Sequence, residues 1–387
     1  MSSSEAGSSN AAVLDEIIAA FTEESGIDVT VDRVVYDDID KVYEAAALAG
    51  EQPDIVLHNL TPFNSDWFQN DLVYDVEPFL DEWDLRDKFQ PDAIEYWTQN
   101  GGMNGFPFSA FNWPIWYNTD LLAKAGVTDI PTTVDELIAA SDALREAGIQ
   151  PLVLGGAEWP VQNFTTWMAQ QYLSPEEAED IFANGGYCEN PDAVKGLDLF
   201  AQLRDAGVFV DNVAGYTADQ MTTAYYNGDA AMMVSGSWGY AGAPAEIAEV
   251  TQLAGFPTVE GGEYDLPTAY NGYNSGLYIS KSAASKLESI EVFVKFYYET
   301  ANLQKWVTDA GAILAETPEA IGDVESADFP LVAQGNALDE TKVDYMVLPD
   351  GFWPAGYDGA AIGAEFLGSS QTGADYCQKI DGLYANL

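Results

Sequence analysis

Residues 105–126 read GFPFSAFNWPIWYNTDLLAKAG. Five rings, Phe106, Phe108, Phe111, Trp113 and Trp116, fall within eleven positions, and Tyr117 follows at once. So dense an aromatic run suits a pleated, extended backbone, and Pro107 and Pro114 forbid a helix interior. Asn118 then supplies a cap before Leu121, Leu122 and Ala125, and Gly126 ends that short helix. Such a segment is either a buried strand of one domain or a crossing between two lobes with rings lining a cleft.

The rest of the chain favours two lobes. At 387 residues it exceeds the size at which one core stops growing. Hydrophobic content of 47% and charged content of 20% describe a folded globular protein. No apolar run is long enough to span a membrane. The formal net charge is −49, with 14 basic against 63 acidic residues. That balance repels phosphates and anionic lipid, so no nucleic-acid partner is expected. The acids are scattered, as in a solvated coat. Only four arginines occur, Arg33, Arg86, Arg145 and Arg204, each among charged neighbours. An anionic ligand usually needs a bidentate arginine, so a neutral or cationic ligand is favoured.

Cys188 and Cys377 match no metal spacing, and the sequence leaves their pairing open. His58 is the only histidine, so no metal and no cofactor is expected. The chain contains no G-x-S-x-G, phosphate-cradling glycine loop or H-E-x-x-H.

Along the chain, residues 1–10 read as linker. A helix carries Leu14, Ile17, Ile18 and Phe21 on one face and stops at Gly26. Ile27, Val29 and Val31 alternate as a strand, a helix spans 38–49, and PDIVL (53–57) reads as a strand of a parallel sheet. This alternation predicts an α/β fold. Thr133 with Glu136, and Ser174-Pro175 with Glu177, are capping boxes. Trp159-Pro160 stands on a glycine loop after the 149–154 strand, with helices at 162–173, 192–207 and 217–227. A strand after Gly228 leads to Trp238 in a small-residue loop. Strands are expected at 254–257 and 277–280, with 258–269 as a loop, and helices at 284–299, 302–311 and 373–384.

Four stretches in register, MNGFPFSAFNWPIWYNTDLLAKAGV, IPTTVDELIAASDALREAGIQPLVLGG, YYNGDAAMMVSGSWG and GFP followed by NGYNSGLYISKSAASKLESIEVFVKFYYE, resemble the family 1 solute-binding proteins of carbohydrate ABC importers, maltose-binding protein among them. The resemblance runs from about residue 11 to the end. It implies a two-lobed periplasmic-binding-protein-like fold of type II with a hinge of crossing segments. Residues 1–108 and 272–315 would form the N-terminal lobe, and 109–271 and 316–387 the C-terminal lobe. It further implies a monomer that binds a neutral sugar or oligosaccharide, closes over it, docks on ABC permease subunits and does no chemistry. The full-length form is expected to be an extracellular, membrane-anchored lipoprotein. The family opens with a strand, whereas nothing of strand character precedes Val13. Met1 is therefore expected to match an internal methionine, with signal peptide, lipoprotein cysteine and first strand upstream.

Sugars present apolar faces and a rim of hydroxyls, so their sites need flat rings and fixed polar partners. Trp238, matched to the family's G-S-W position, and Trp159 are candidate stacking rings. Trp113 and Trp116 lie close enough that one can face a cleft while the other faces a core. Trp353 is a further candidate, whereas Trp67, Trp83, Trp97, Trp167 and Trp306 read as packing. Candidate polar contacts are Asn112, Asn271, Tyr273 and Asn274 on the hinge-like segments; His58, Asn59 and Asn64 after PDIVL; and Asp358. Any of these asparagines could equally satisfy turn backbones. The rivals are a glycoside hydrolase, for which Glu158 beside Trp159 is the nearest acid, a binding protein for a non-sugar solute, and a structural surface protein.

Overall fold

The predicted caps set the helix starts. In the structure, a computed structural model, Asn118 Oδ1 accepts the Leu121 N–H at 3.0 Å and opens the helix Thr119–Lys124. Glu136 Oε2 accepts from the Thr133 N–H at 3.2 Å while Thr133 Oγ1 accepts from Glu136 at 3.3 Å, opening Val134–Glu146. Ser174 and Glu177 make the same reciprocal pair ahead of Pro175–Asn184. Each box satisfies amide donors that a helix start leaves orphaned. The structure describes residues 1–2, 9–99, 101–324, 329–338 and 341–387, with the side chains of Ser9, Asp37 and Asn274 left aside.

The chain divides into two compact units, residues 1–111 with 272–332 and residues 112–271 with 333–387. In the first, Ile55–Asn59 pairs antiparallel with the strand Thr268–Ile279, Ile55 standing opposite Ile279 and Asn59 opposite Ser275. Ile313–Leu314 pairs antiparallel with Ser109–Ala110 of the strand Phe106–Trp113. The parallel neighbours expected for PDIVL are therefore absent from this pairing. The parallel contact comes from Ser2, which bridges Leu57 and Arg33. The Ile27–Val31 alternation forms no ladder among the described residues; the pairing falls just beyond it, where Ser2 N–H donates to Asp32 O and Val34 N–H to Ser2 O.

The first core gathers Val13, Leu14, Ile17 and Phe21 of the helix Ser9–Ser25 with Trp67, Trp83, Trp97, Phe106, Phe108 and Trp306. Phe21 meets Phe293 edge-on at 5.1 Å. The stretch 316–332, expected in the second lobe, belongs here. Thr317 N–H bonds Lys88 O at 2.8 Å and Gln304 Nε2 bonds Ile321 O at 3.0 Å.

In the second unit Ile115–Asn118 is the central strand, antiparallel to Ala230–Val234 and to Thr251–Ala254. Gln150–Val153 runs parallel to Ala230–Val234. Asp344–Met346 runs parallel to Thr268–Tyr270, so the supposed 258–269 loop ends in strand. The helix Trp159–Ala169 packs on Pro191–Asp205, where a Cβ on Gly196 would come within 2.2 Å of Met168 O. Cys188 and Cys377 form a disulfide across a separation of 189 residues, tying the turn after Pro175–Asn184 to the helix Gly373–Tyr384. Asp381 secures the same turn by accepting the Gly186, Tyr187 and Cys188 N–H groups at 2.8–3.0 Å.

Two predictions arise. Closing so long a loop restrains the unfolded chain, so reducing the disulfide should cost about 2–5 kcal/mol of stability, read from denaturant midpoints with and without a thiol reductant. Glu316 is buried in the first unit with neither carboxyl oxygen hydrogen-bonded, and desolvation raises its pKa well above the usual range. The native state then holds a proton that the unfolded chain has lost, so stability is full at low pH and declines as pH rises. Glu316→Gln should be more stable than the parent at pH 8, with the gap closing toward pH 4. A gap independent of pH would show that Glu316 is not protonated in the fold.

Candidate functional site

Three tryptophans of the second unit converge. Trp113 ends its strand with the ring 5.3 Å from Trp159 and 5.7 Å from Trp238, and Trp159 and Trp238 stand 5.7 Å apart at 65°. None of the pairs lies flat on another, so faces and edges alternate around the cluster. Trp113 is buried, Trp159 partly exposed, and Trp238 49% exposed, an uncommon state for so large an apolar ring. Local sequence fixes the two outer rings. Trp159 is the first residue of a helix, with Pro160 behind it, rather than a loop residue. Trp238 folds back over Gly236, where a Cβ would stand 2.1 Å from the indole. Glycine at 236 is thus a steric requirement of that placement.

A polar wall adjoins these rings. Asn163 lies one helical turn beyond Trp159, and Thr166 and Gln170 follow on the same helix. Tyr270, 5.8 Å from Trp113, takes Gln170 Nε2 at 2.9 Å and meets Thr166 Oγ1 at 3.2 Å. Asn163 Nδ2 donates to Asp350 Oδ1 at 3.4 Å. Asp350 keeps some exposure as a residue, but its carboxyl is enclosed, and desolvation pushes its pKa up to about 7 against the weaker pull of Asn163. Trp113 Nε1, Trp353 Nε1 and Gln170 Oε1 are buried without a hydrogen-bond partner.

Several sequence candidates prove structural. Trp116 is fully buried, donating to Ser235 O at 2.8 Å and packing on Tyr225 and Tyr240. Residue alternation and Pro114 send it to the opposite side from Trp113. Asn112 ties Gly335 O (3.0 Å) to the Tyr240 hydroxyl (2.5 Å), which occupies both ends of its amide. Trp353 is buried and stacked on Tyr357 at 4.7 Å. Asp358 is exposed and caps its own turn through the Ala360 N–H. Asn271 is exposed in mid-strand. The Asn274 side chain lies outside the described residues. Glu158 accepts the Ala218 N–H at 2.8 Å, a structural role.

In the first unit His58 is buried with Nε2 3.5 Å from Asp40 Oδ1 and its ring 5.0 Å from Tyr36. Asn64 is fully used, donating to Asp40 Oδ1 and Asn59 O, both at 2.9 Å, and accepting from Thr61 N–H and Tyr278 Oη. It is a support, not a contact. Asn59 is half-buried and donates to Tyr36 Oη at 3.2 Å. Tyr273 bonds Gln90 Oε1 at 3.2 Å, and its carbonyl accepts from the Trp97 indole. The sequence reading missed Tyr36 and Phe63, 37% and 45% exposed beside this cluster, and it missed Asn163, Tyr270 and Asp350. Two shallow depressions, about 530 Å³ beside Ser369, Asp375 and Lys379 and about 460 Å³ beside Tyr216 and Asp229, hold no such cluster of rings.

The model of the bacterial extracellular solute-binding protein family matches residues 6–304. The chain belongs to this family. A solved structure of a probable secreted solute-binding lipoprotein from Streptomyces coelicolor is 32% identical, covers 100% of this chain and 98% of its own, and superposes with a TM-score of 0.84. Its likeness shows the two-lobed fold of periplasmic solute-binding proteins. A probable sugar-binding periplasmic protein of Mesorhizobium japonicum is 25% identical over 60% of this chain and 53% of its own. The sn-glycerol-3-phosphate-binding periplasmic protein of Salmonella typhimurium is 27% identical over 44% of this chain. The chain spans 38% of that relative's length. The family is one of bacterial extracellular solute-binding proteins. Among the described residues no helix is long and apolar enough to cross a membrane.

The two kinds of tryptophan separate experimentally. Trp116→Phe should lower stability by about 1–3 kcal/mol through lost packing and an unpaired Ser235 carbonyl, while Trp238→Ala should leave the thermal midpoint within a few degrees. Calorimetric scans of both variants check this.

Proposed function

We propose that this protein binds a neutral sugar or oligosaccharide and delivers it to the permease of an ABC importer. The observation that carries the reading is the Trp113–Trp159–Trp238 cluster, with its outer ring half exposed and hydrogen-bonding side chains at its flank. Rings take the C–H faces of a pyranose, and amide, phenol and carboxyl groups take the hydroxyls. In the first unit Tyr36, Phe63 and Asn59 supply a second, smaller set of the same chemistry.

The work is conformational. The ligand gains contacts in a closed form that it lacks in an open one, and its differential affinity sets the closure. The protein acts as a monomer outside the cell, held to the membrane as a lipoprotein. The description of the Streptomyces neighbour supports that anchor.

A polyol phosphate is the second reading, because one relative is described as binding sn-glycerol 3-phosphate. The arginines argue against it. Arg33, Arg86, Arg145 and Arg204 all pair with carboxylates of Asp15, Asp81, Asp211 and Asp205. Among the described residues no cation forms an ion pair at the tryptophan cluster, so a phosphate would lie uncompensated in a chain already at −49.

Isothermal titration against maltotriose, xylotriose, raffinose and N,N′-diacetylchitobiose, with sn-glycerol 3-phosphate as control, tests the reading. One-to-one binding of a sugar with no reducing sugar released is expected. Trp238→Ala should weaken it by about 1–3 kcal/mol, the worth of a buried stacking ring. Binding of the phosphate alone would overturn the substrate class.

A further inference from the structure

The second unit leaves one carboxyl group in an unusual position. Among the described residues Asp350 has one hydrogen-bond donor, Asn163 Nδ2, at the long distance of 3.4 Å. An ionised carboxylate offers about four acceptor sites, so three stand unfilled. Among the described residues no lysine, arginine or histidine forms an ion pair with it. The groups that face it are neutral. Asn163 comes from the Trp159–Ala169 helix, and Tyr270 from the Thr268–Ile279 strand feels its charge.

Buried polar groups are rarely left unmatched. Here the shortfall is collective, since Gln170 Oε1 and Trp113 Nε1, the side chains that meet Tyr270, are also buried without partners. Gln170 is fully buried and already holds Tyr270 and Val347 O through its Nε2. Such a set is short of hydrogen-bond donors at its oxygens and of acceptors at its indole. A polyhydroxy ligand supplies both.

We propose that Asp350 is the hydroxyl acceptor of this pocket and couples sugar binding to the release of a proton. The inference rests on the reading of the pocket as a sugar site. Without ligand, desolvation pushes the pKa of the enclosed carboxyl up to about 7, so about half of it is protonated at neutrality. Sugar hydroxyls donate to the ionised form and favour it, the sugar keeps all its own protons, and the carboxyl proton passes to solvent. Affinity for a neutral sugar therefore rises with pH. The scattered surface charge does not imitate this effect, because an uncharged ligand has no net Coulomb interaction with it.

The test uses the whole chain and the same four saccharides, titrated at pH 6, 7 and 8. At pH 7 each titration is repeated in phosphate and in Tris, whose ionisation heats differ. For any saccharide that binds, affinity should rise about tenfold from pH 6 to pH 8, and the buffer comparison should report proton release. Asp350→Asn should bind more weakly with a flat pH profile and no proton release, its fold checked by an unshifted disulfide and thermal midpoint. The wild-type titrations carry the test even if that variant unfolds. Flat affinity in the wild type, or affinity that falls with pH, overturns the proton linkage and leaves the sugar reading intact. Failure of every saccharide at every pH overturns the sugar reading and this inference with it.

Discussion

A single extended backbone has to satisfy two hydrophobic cores. Phe106 and Phe108 are buried in the first unit, and Trp113 and Trp116, a few residues on, are buried in the second. Each burial contributes on the order of 2 kcal/mol or more, so neither end can slip without exposing rings at the other. A shift of one residue would also turn every side chain to the opposite face. Pro114 stands between the two commitments and interrupts the ladder at a point where neither core needs it. The positions of Trp113 beneath its two partners and of Trp116 against Tyr240 follow from that one constraint.

What was legible in the sequence was local. Thr133–Glu136, Ser174–Glu177 and Asn118 announce their helices because cap and amide lie within four residues. The two-lobed α/β architecture was legible through four motifs in register, not through any one of them. The Ile27–Val31 alternation misled because a strand needs a neighbour, and among the described residues none pairs with it. Trp159 was misplaced on a loop because Pro160 reads equally as a breaker or as a first-turn residue.

The tryptophan cluster was suggested by the sequence, and the polar side chains beside it were not. Trp238 could be picked out because Gly236 and Ser237 give a core ring no support. Nothing near Asp350 in sequence separates it from the other acids, and its neighbours Asn163 and Tyr270 are brought in by distant segments. Asn112 and Asn64 looked like ligand contacts, but both amides are consumed internally, Asn112 by Gly335 and Tyr240 and Asn64 by Asp40 and Tyr278. An amide that has met its partners within the fold has little left to offer a sugar.

The bond between Cys188 and Cys377 sits ten residues from the end of the chain, in a unit whose two segments, 112–271 and 333–387, are separated by a stretch of the other. Chains emerge from the ribosome or a translocon N-terminus first, and domains fold as units. The second unit therefore cannot complete its core until the segment 333–387 is free, whereas every residue of the first is out once Val332 has emerged. Maturation is ordered by connectivity: the first unit can be native while the half holding the tryptophan cluster is still waiting for its final helix. Oxidation of the cysteine pair must wait for the helix Gly373–Tyr384 to emerge, and a chain that stops before Cys377 lacks the lock on that half.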